Sequence, residues 1–109
     1  MKIYVDEDGF VKAKMEKGSE VLGDFLSGDV QGSVFAAIEY INACLSVESG
    51  EASRWEGTGN AFTVTIESGG VEIFNEYTEE FVWISNISDF RAYLEEWKEY
   101  LIRLKSKDQ

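Results

Sequence analysis

The chain has 109 residues, no proline, no histidine, one cysteine and a formal net charge of −11. Without histidine it lacks the commonest acid–base catalyst and metal ligand, and a lone cysteine excludes both an intramolecular disulfide and a thiolate zinc site. Hydrophobic residues at 44% and aromatics at 14% suffice for one packed core. No run approaches the roughly 18 apolar residues of a membrane helix. Asp6 comes too early for the apolar stretch of a signal peptide. The expectation is one cytoplasmic domain over residues 1–109, frayed at 105–109.

The charge is unevenly placed. Glu16 to Phe90 carries fourteen acids against two bases, Lys17 and Arg54, and the remaining bases sit near the two ends. Such a field repels phosphate backbones and anionic membranes and attracts basic proteins. The plainer reading is that the charge serves solubility.

In chain order, Ile3–Val5 and Val11–Met15 read as a hairpin across Glu7-Asp8-Gly9. A three-residue loop aligns Val5 with Val11, Ile3 with Ala13 and Met1 with Met15, which keeps the apolar residues on one face. Asp6, Asp8 and Gly9 faintly resemble the start of a calcium loop. Lys17 stands where such a loop needs its last glutamate, so calcium is rejected. Ser19-Glu20 caps a short helical turn through Leu22 and Phe25 that ends at Gly28 and is weakened by Gly23. Asp29 caps a long helix from Val30 to about Val47, with the stripe Val34, Ile38, Ile41 and Leu45 facing inward beside Ala37 and Cys44. Cys44 on that stripe reads as a buried, inert thiol.

Trp55 to Ser85 is the centre of the chain. It reads as three short antiparallel strands with turns at Ser68-Gly69-Gly70 and Thr78-Glu79-Glu80, and Arg54-Trp55-Glu56 forms a short strand before a bend at Gly57-Thr58-Gly59. A Gly69-Gly70 hairpin turn pairs Ile66 with Ile73, Val64 with Asn75 and Phe62 with Tyr77, and sets Glu67 against Glu72 on the other face. Phe81–Ser85 is apolar on both faces. It reads as a central strand of open register: either Phe81 and Trp83, or Val82 and Ile84, join the face of Ile73. Ser88 caps the last helix, where Phe90, Leu94, Trp97, Leu101 and Leu104 form one stripe. The fold class is α+β, in the order ββ(α)αβββα, with one antiparallel sheet of about five strands packed against two long helices.

No phosphate-cradling glycine loop and no nucleophile elbow is present. The adjacent pairs Glu79-Glu80 and Glu95-Glu96 point apart on any regular element. The expectation is no enzyme, no metal and no cofactor. Opposed acids at a hairpin end either face solvent or form a ridge kept acidic for a cationic partner, with Phe74 as its apolar anchor. Glu67, Glu72, Phe74, Glu76, Glu79 and Glu80 are the candidate partner-binding residues.

The opening "DEDGFVKAKM", then "GSEVLGDFLSGDV", "SRWEGTGNAFTVTIESGGVEIFNE" and "ISDFRAYLEEWKEYL" resemble the YacL-like small acidic bacterial proteins in order and spacing. That resemblance implies a fold and no site. Size and acidity are also similar to those of immunity proteins that neutralise cationic nuclease toxins. The expected function is therefore an acidic protein-binding module, an inhibitor that covers the basic active site of a toxin domain. The alternative is a housekeeping or regulatory domain that acts through homo-oligomers, seamed along the exposed side of the last helix.

Overall fold

The computed structural model describes residues 1–107. Its order is β1 (Lys2–Val5), β2 (Val11–Lys14), α1 (Glu20–Phe25) running into a π-helical turn (Leu26–Val30), α2 (Val34–Glu48), β3 (Arg54–Thr58), β4 (Phe62–Glu67), β5 (Gly70–Asn75), β6 (Phe81–Ile84) and α3 (Ile87–Lys107). The class is α+β, as expected, but the strands do not share one sheet. β1 and β2 form a ribbon of their own, and β3-β4-β5-β6 form a four-stranded antiparallel meander.

The ribbon has the expected register, Val5 opposite Val11 and Ile3 opposite Ala13. Gly9 takes φ +87°, and the amides of Asp8 and Phe10 donate to Asp6 Oδ1 at 3.0 and 2.9 Å. The ribbon stays apart from the meander because it packs on α1. A Cβ on Gly23 would lie 2.6 Å from Met15 Cγ and 3.2 Å from the Ala13 carbonyl. Gly23 costs helix propensity and in return permits this close approach. The Ser19 side chain makes no cap hydrogen bond. The Glu20 carboxylate instead accepts from the Gly18 amide at 2.9 Å.

The helix also passes Gly28, because the Gln31 amide donates to the Leu26 carbonyl at 2.8 Å, closing a π turn. Gln31 then takes φ +57°, which ends the helical path, so α2 starts at Val34. Its cap is Ser33, whose hydroxyl accepts from the Ala36 amide at 3.0 Å. Asp29, expected as that cap, instead accepts from the amides of Ala61 and Phe62 at 3.0 and 3.1 Å. It ties the π turn to the β3–β4 turn. Burial raises the Asp29 pKa, and the amides of Ala61 and Phe62 oppose the rise.

Replacing Asp29 with alanine leaves two amides without their charged acceptor, and we expect a loss of about 1.5–3 kcal/mol in chemical denaturation. A folded pKa above the ordinary 3.8 means that the folded state binds the proton more tightly. The stability linked to this carboxyl is complete below the unfolded value and declines as pH rises through the folded one. The stability difference between wild type and Asp29→Asn should carry that downward slope.

α2 is rotated from its expected orientation. Ala37, Ile41, Cys44 and Val47 are buried, whereas Phe35 is 71% exposed and Ile38 and Leu45 are 40% and 46% exposed. The small residues Ala37 and Cys44 lie on the buried side of α2, which packs against α3. The Cys44 thiol is fully buried and its pKa is pushed up to about 12, first by burial and then by Glu48. Ellman's reagent should leave it unlabelled in the native protein and react with it only after unfolding.

α3 has the expected stripe, with Phe90, Leu94, Trp97 and Leu101 buried and Leu104 half-buried. Each fully buried large side chain contributes about 1.5–3 kcal/mol before entropy. Its cap is Asn86 rather than Ser88. Asn86 Oδ1 accepts from the Asp89 amide at 2.8 Å, and Asn86 Nδ2 donates to Asp89 Oδ2 at 2.9 Å. The earlier start buries Ile87. Arg91 forks onto Glu48 at 2.7 and 3.2 Å, joining α3 to the end of α2. The helix runs to Lys107, and residues 108 and 109 of the tail expected to fray lie outside the described part.

Candidate functional site

The meander has two different faces. Phe62, Val64 and Ile66 of β4 and Val71 and Ile73 of β5 point inward and are buried. Val82 and Ile84 of β6 and Trp55 of β3 pack against the same core. All three helices lie on this side, so the opposite face of the sheet is left uncovered.

The register of that face corrects the hairpin expectation. The turn is Ser68-Gly69, and the pairs are Ile66 with Val71, Val64 with Ile73, Thr65 with Glu72 and Glu67 with Gly70. The slip is by two residues, so each side chain keeps its face, but Glu67 and Glu72 no longer oppose each other. The observed register removes that carboxylate repulsion and gives Val71 an apolar partner in Ile66. Gly70 takes φ +145°, outside the range most side chains adopt. The β6 register is settled too: Ile73 pairs with Val82 and Phe74 with Phe81. Val82 and Ile84 therefore face inward, while Phe81 and Trp83 face outward. β6 is an edge strand rather than a central one, and Phe81 and Trp83 are 61% and 53% exposed.

Two cross-strand rows run over the outer face. One is Glu56, Thr65, Glu72 and Trp83; the other is Thr58, Thr63, Phe74 and Phe81. The β3–β4 side is polar and internally bonded. Thr58 and Thr63 share a 2.9 Å hydrogen bond, and Thr63 Oγ1 donates to Glu76 Oε2 at 3.1 Å. Arg54 bonds Glu67 at 2.9 Å and Glu56 at 3.0 Å. The face therefore carries a base, Arg54, which lies just before the Trp55–Ser85 stretch. Arg54 on β3 neutralises part of the charge at Glu67, and pairs this exposed contribute little stability. Glu72, between Thr65 and Trp83, has no ion-pair partner among the described residues. A shallow depression of about 450 Å³ runs between Arg54, Glu72, Phe74 and Trp83.

Of the residues singled out in the sequence, Glu67, Glu72, Phe74 and Glu76 share this face. Glu79 and Glu80 sit in the β5–β6 turn at its rim, where Glu79 takes φ +63°. The Asn75 side chain shapes that turn, its Oδ1 accepting from the amides of Tyr77 and Thr78 at 2.9 and 3.1 Å. Sequence reasoning missed Glu56, Phe81 and Trp83. Their alternation with inward-facing neighbours was visible, but only the β6 register fixes which set faces outward.

No family model matches the chain, and no solved structure matches it. The chain is similar to UPF0231 proteins of enterobacteria at low identity. It is 22% identical over 111 residues to one from Cronobacter sakazakii, covering 88% of this chain and 91% of the relative. It is 22% identical over 112 residues to one from Yersinia enterocolitica, covering 89% and 92%. A third, from Erwinia tasmaniensis, is 24% identical over 114 residues, covering 89% and 92%. The similarity extends along nearly the full length of both partners. No helix among the described residues is long and apolar enough to cross a membrane.

Proposed function

We propose that this protein is a non-enzymatic, cytoplasmic binding module of the YacL-like kind whose outer sheet face docks a cationic protein, in the manner of an immunity protein that covers a toxin's basic active site. The observation that carries the reading is the uncovered β-face, where Phe74, Phe81 and Trp83 stand with Glu76 and unneutralised Glu72, and Glu79 and Glu80 lie in the turn at its end. Aromatic anchors supply buried area, and surrounding acids raise the rate of encounter and select a basic partner.

The test is co-purification with the product of the adjacent gene, together with protection of cells expressing that product. Binding should weaken at least about tenfold between about 50 and 300 mM salt, since a contact steered by charge is screened. It should be lost in the folded double variant Glu72→Lys, Phe74→Ala. Salt-insensitive binding, or no binding and no protection, overturns the reading.

A second reading rests on α2, where Phe35, Ile38 and Leu45 form an exposed apolar strip. Self-association along that strip makes the protein an oligomeric regulatory or housekeeping domain. A monomer in sedimentation at micromolar concentration rules it out.

A further inference from the structure

β6 lies at the sheet margin, and the phase of its hydrogen bonds can be read from its start. The Asn75 amide donates to the Glu80 carbonyl at 2.8 Å. In an antiparallel ladder bonded and non-bonded pairs alternate. With the observed pairing of Ile73 to Val82 and Val71 to Ile84, the Glu80 carbonyl and the peptide groups of Val82 and Ile84 turn toward β5. Those of Phe81 and Trp83 therefore turn away from the sheet. No loop, cap or side-chain hydrogen bond among the described residues reaches them.

On the inner side of this free edge lies a groove of about 650 Å³, bounded by Leu22 of α1, Val82 and Ile84 of β6, and Ala92, Tyr93 and Glu96 of α3. On the outer side stand the rings of Phe81 and Trp83. A strand laid against β6 would send alternate side chains into the groove and onto the aromatic face. This is the arrangement that strand addition requires: backbone groups for affinity and a pocket for every second side chain.

The acids around the edge name the occupant. Glu80 begins it, Asp89 and Glu96 border the groove, and Glu72 lies across from Trp83. Glu80 also lies close enough to Asp24 on α1 to add to the rise that burial imposes on the Asp24 pKa. We propose that the free edge of β6 accepts an extended basic segment of a partner protein as a fifth, antiparallel or parallel, strand of the meander. The proposal rests on the docking reading above and adds its mode. A second copy of this chain is a poor occupant, because it brings the same −11 charge and the same rim acids to the pairing. Acidic flanks are a recognised device against such edge-to-edge association.

The probe is a fluorescent peptide of about eight residues that alternates valine and lysine, a length suited to one strand. Its control is the same peptide N-methylated at alternate residues, which keeps charge and side chains but removes the donors along one edge. The parent peptide should bind at least about tenfold more tightly than the methylated one, and more weakly as salt rises. Amide exchange by NMR gives a readout independent of any variant. In the free protein Val82 and Ile84 should be protected and Phe81 and Trp83 should exchange fast, with Trp83 slowing at least about tenfold on peptide addition. Trp83→Pro and Trp83→Thr both remove the indole, but only proline also removes the outward N–H, so Trp83→Pro should weaken binding well beyond Trp83→Thr.

Equal binding of the two peptides overturns strand addition, as does protection of Phe81 and Trp83 by self-pairing in a dimer. If the parent peptide leaves these amides unchanged while Glu72→Lys, Phe74→Ala still abolishes binding of the adjacent gene's product, the docking face stands and the edge does not. Loss of both removes both.

Discussion

Replacing Gly70 with alanine should lower stability by about 2–4 kcal/mol, a fall of about 10–20 °C in melting temperature for a domain of this size. Two costs combine. At φ +145° a side chain places the backbone in a region that is nearly glycine's alone. The added Cβ would also lie 2.5 Å from the Ile84 carbonyl oxygen and 2.6 Å from Trp83 Cζ2. The Trp83 ring is able to swing aside, but Ile84 is held in the β5–β6 ladder opposite Val71. Relief therefore has to come from pulling β6 away, which disturbs the free edge and its groove. Gly69 is the control: it sits in the turn, and a methyl group added there would meet nothing within 4 Å, so Gly69→Ala should stay within about 0.5 kcal/mol of wild type. Differential scanning calorimetry on the two variants decides it, and equal melting temperatures would mean that β6 does not press on Gly70.

That pair of glycines also marks how far the sequence could be read. The Gly-Gly dipeptide announced a hairpin, and period-2 alternation assigned Phe62, Val64, Ile66 and Ile73 to the core face, where they lie. Alternation is blind to a slip of two residues, because such a slip returns every side chain to its own face. The choice between registers came from Glu67 and Glu72 avoiding each other and from Gly70 being needed in the strand rather than the turn. The α3 stripe was legible because its apolar residues are large and the opposite face is charged. On α2 the stripe of large residues misled: Ile38 and Leu45 had the right spacing, yet the buried side is the one with Ala37 and Cys44, which packs against α3. Two caps moved by a few positions, from Asp29 to Ser33 at α2 and from Ser88 to Asn86 at α3. Asp29 is drawn to Ala61 and Phe62, more than thirty residues away, and no local rule anticipates that.

The candidate site shows the same division. Its acids other than Glu56, and Phe74, were found from composition and alternation. Its aromatic half at Phe81 and Trp83, and the fact that β6 ends the sheet, depend on which partner strand exists. A further strand beside β6 would pair its outward peptide groups and leave Phe81 and Trp83 on the same uncovered face.

Trp97 is expected to be the most costly side chain to truncate, and its environment allows that cost to be divided. It is fully buried on α3, and its Nε1–H donates to the Gln31 carbonyl at 2.9 Å. Trp97→Ala should cost about 3–5 kcal/mol, a large share of the roughly 5–15 kcal/mol available to a domain. Trp97→Phe keeps most of the apolar contact but strands the carbonyl, and should cost about 1–3 kcal/mol. Gln31 carries a conformational penalty at φ +57° and ψ −140°, and its side-chain Nε2 donates to the Gly28 carbonyl at 2.6 Å. Gln31→Gly relieves the backbone while leaving the carbonyl in place for Trp97, so it should fall within about 1 kcal/mol of wild type. Urea denaturation of the variants separates the contributions. If Gln31→Gly loses as much as Trp97→Phe, the side-chain bond to Gly28 holds the π turn. If it does not, the indole holds it from α3, and the turn that carries Asp29 to the β3–β4 corner is fixed by the helix packed beneath the sheet.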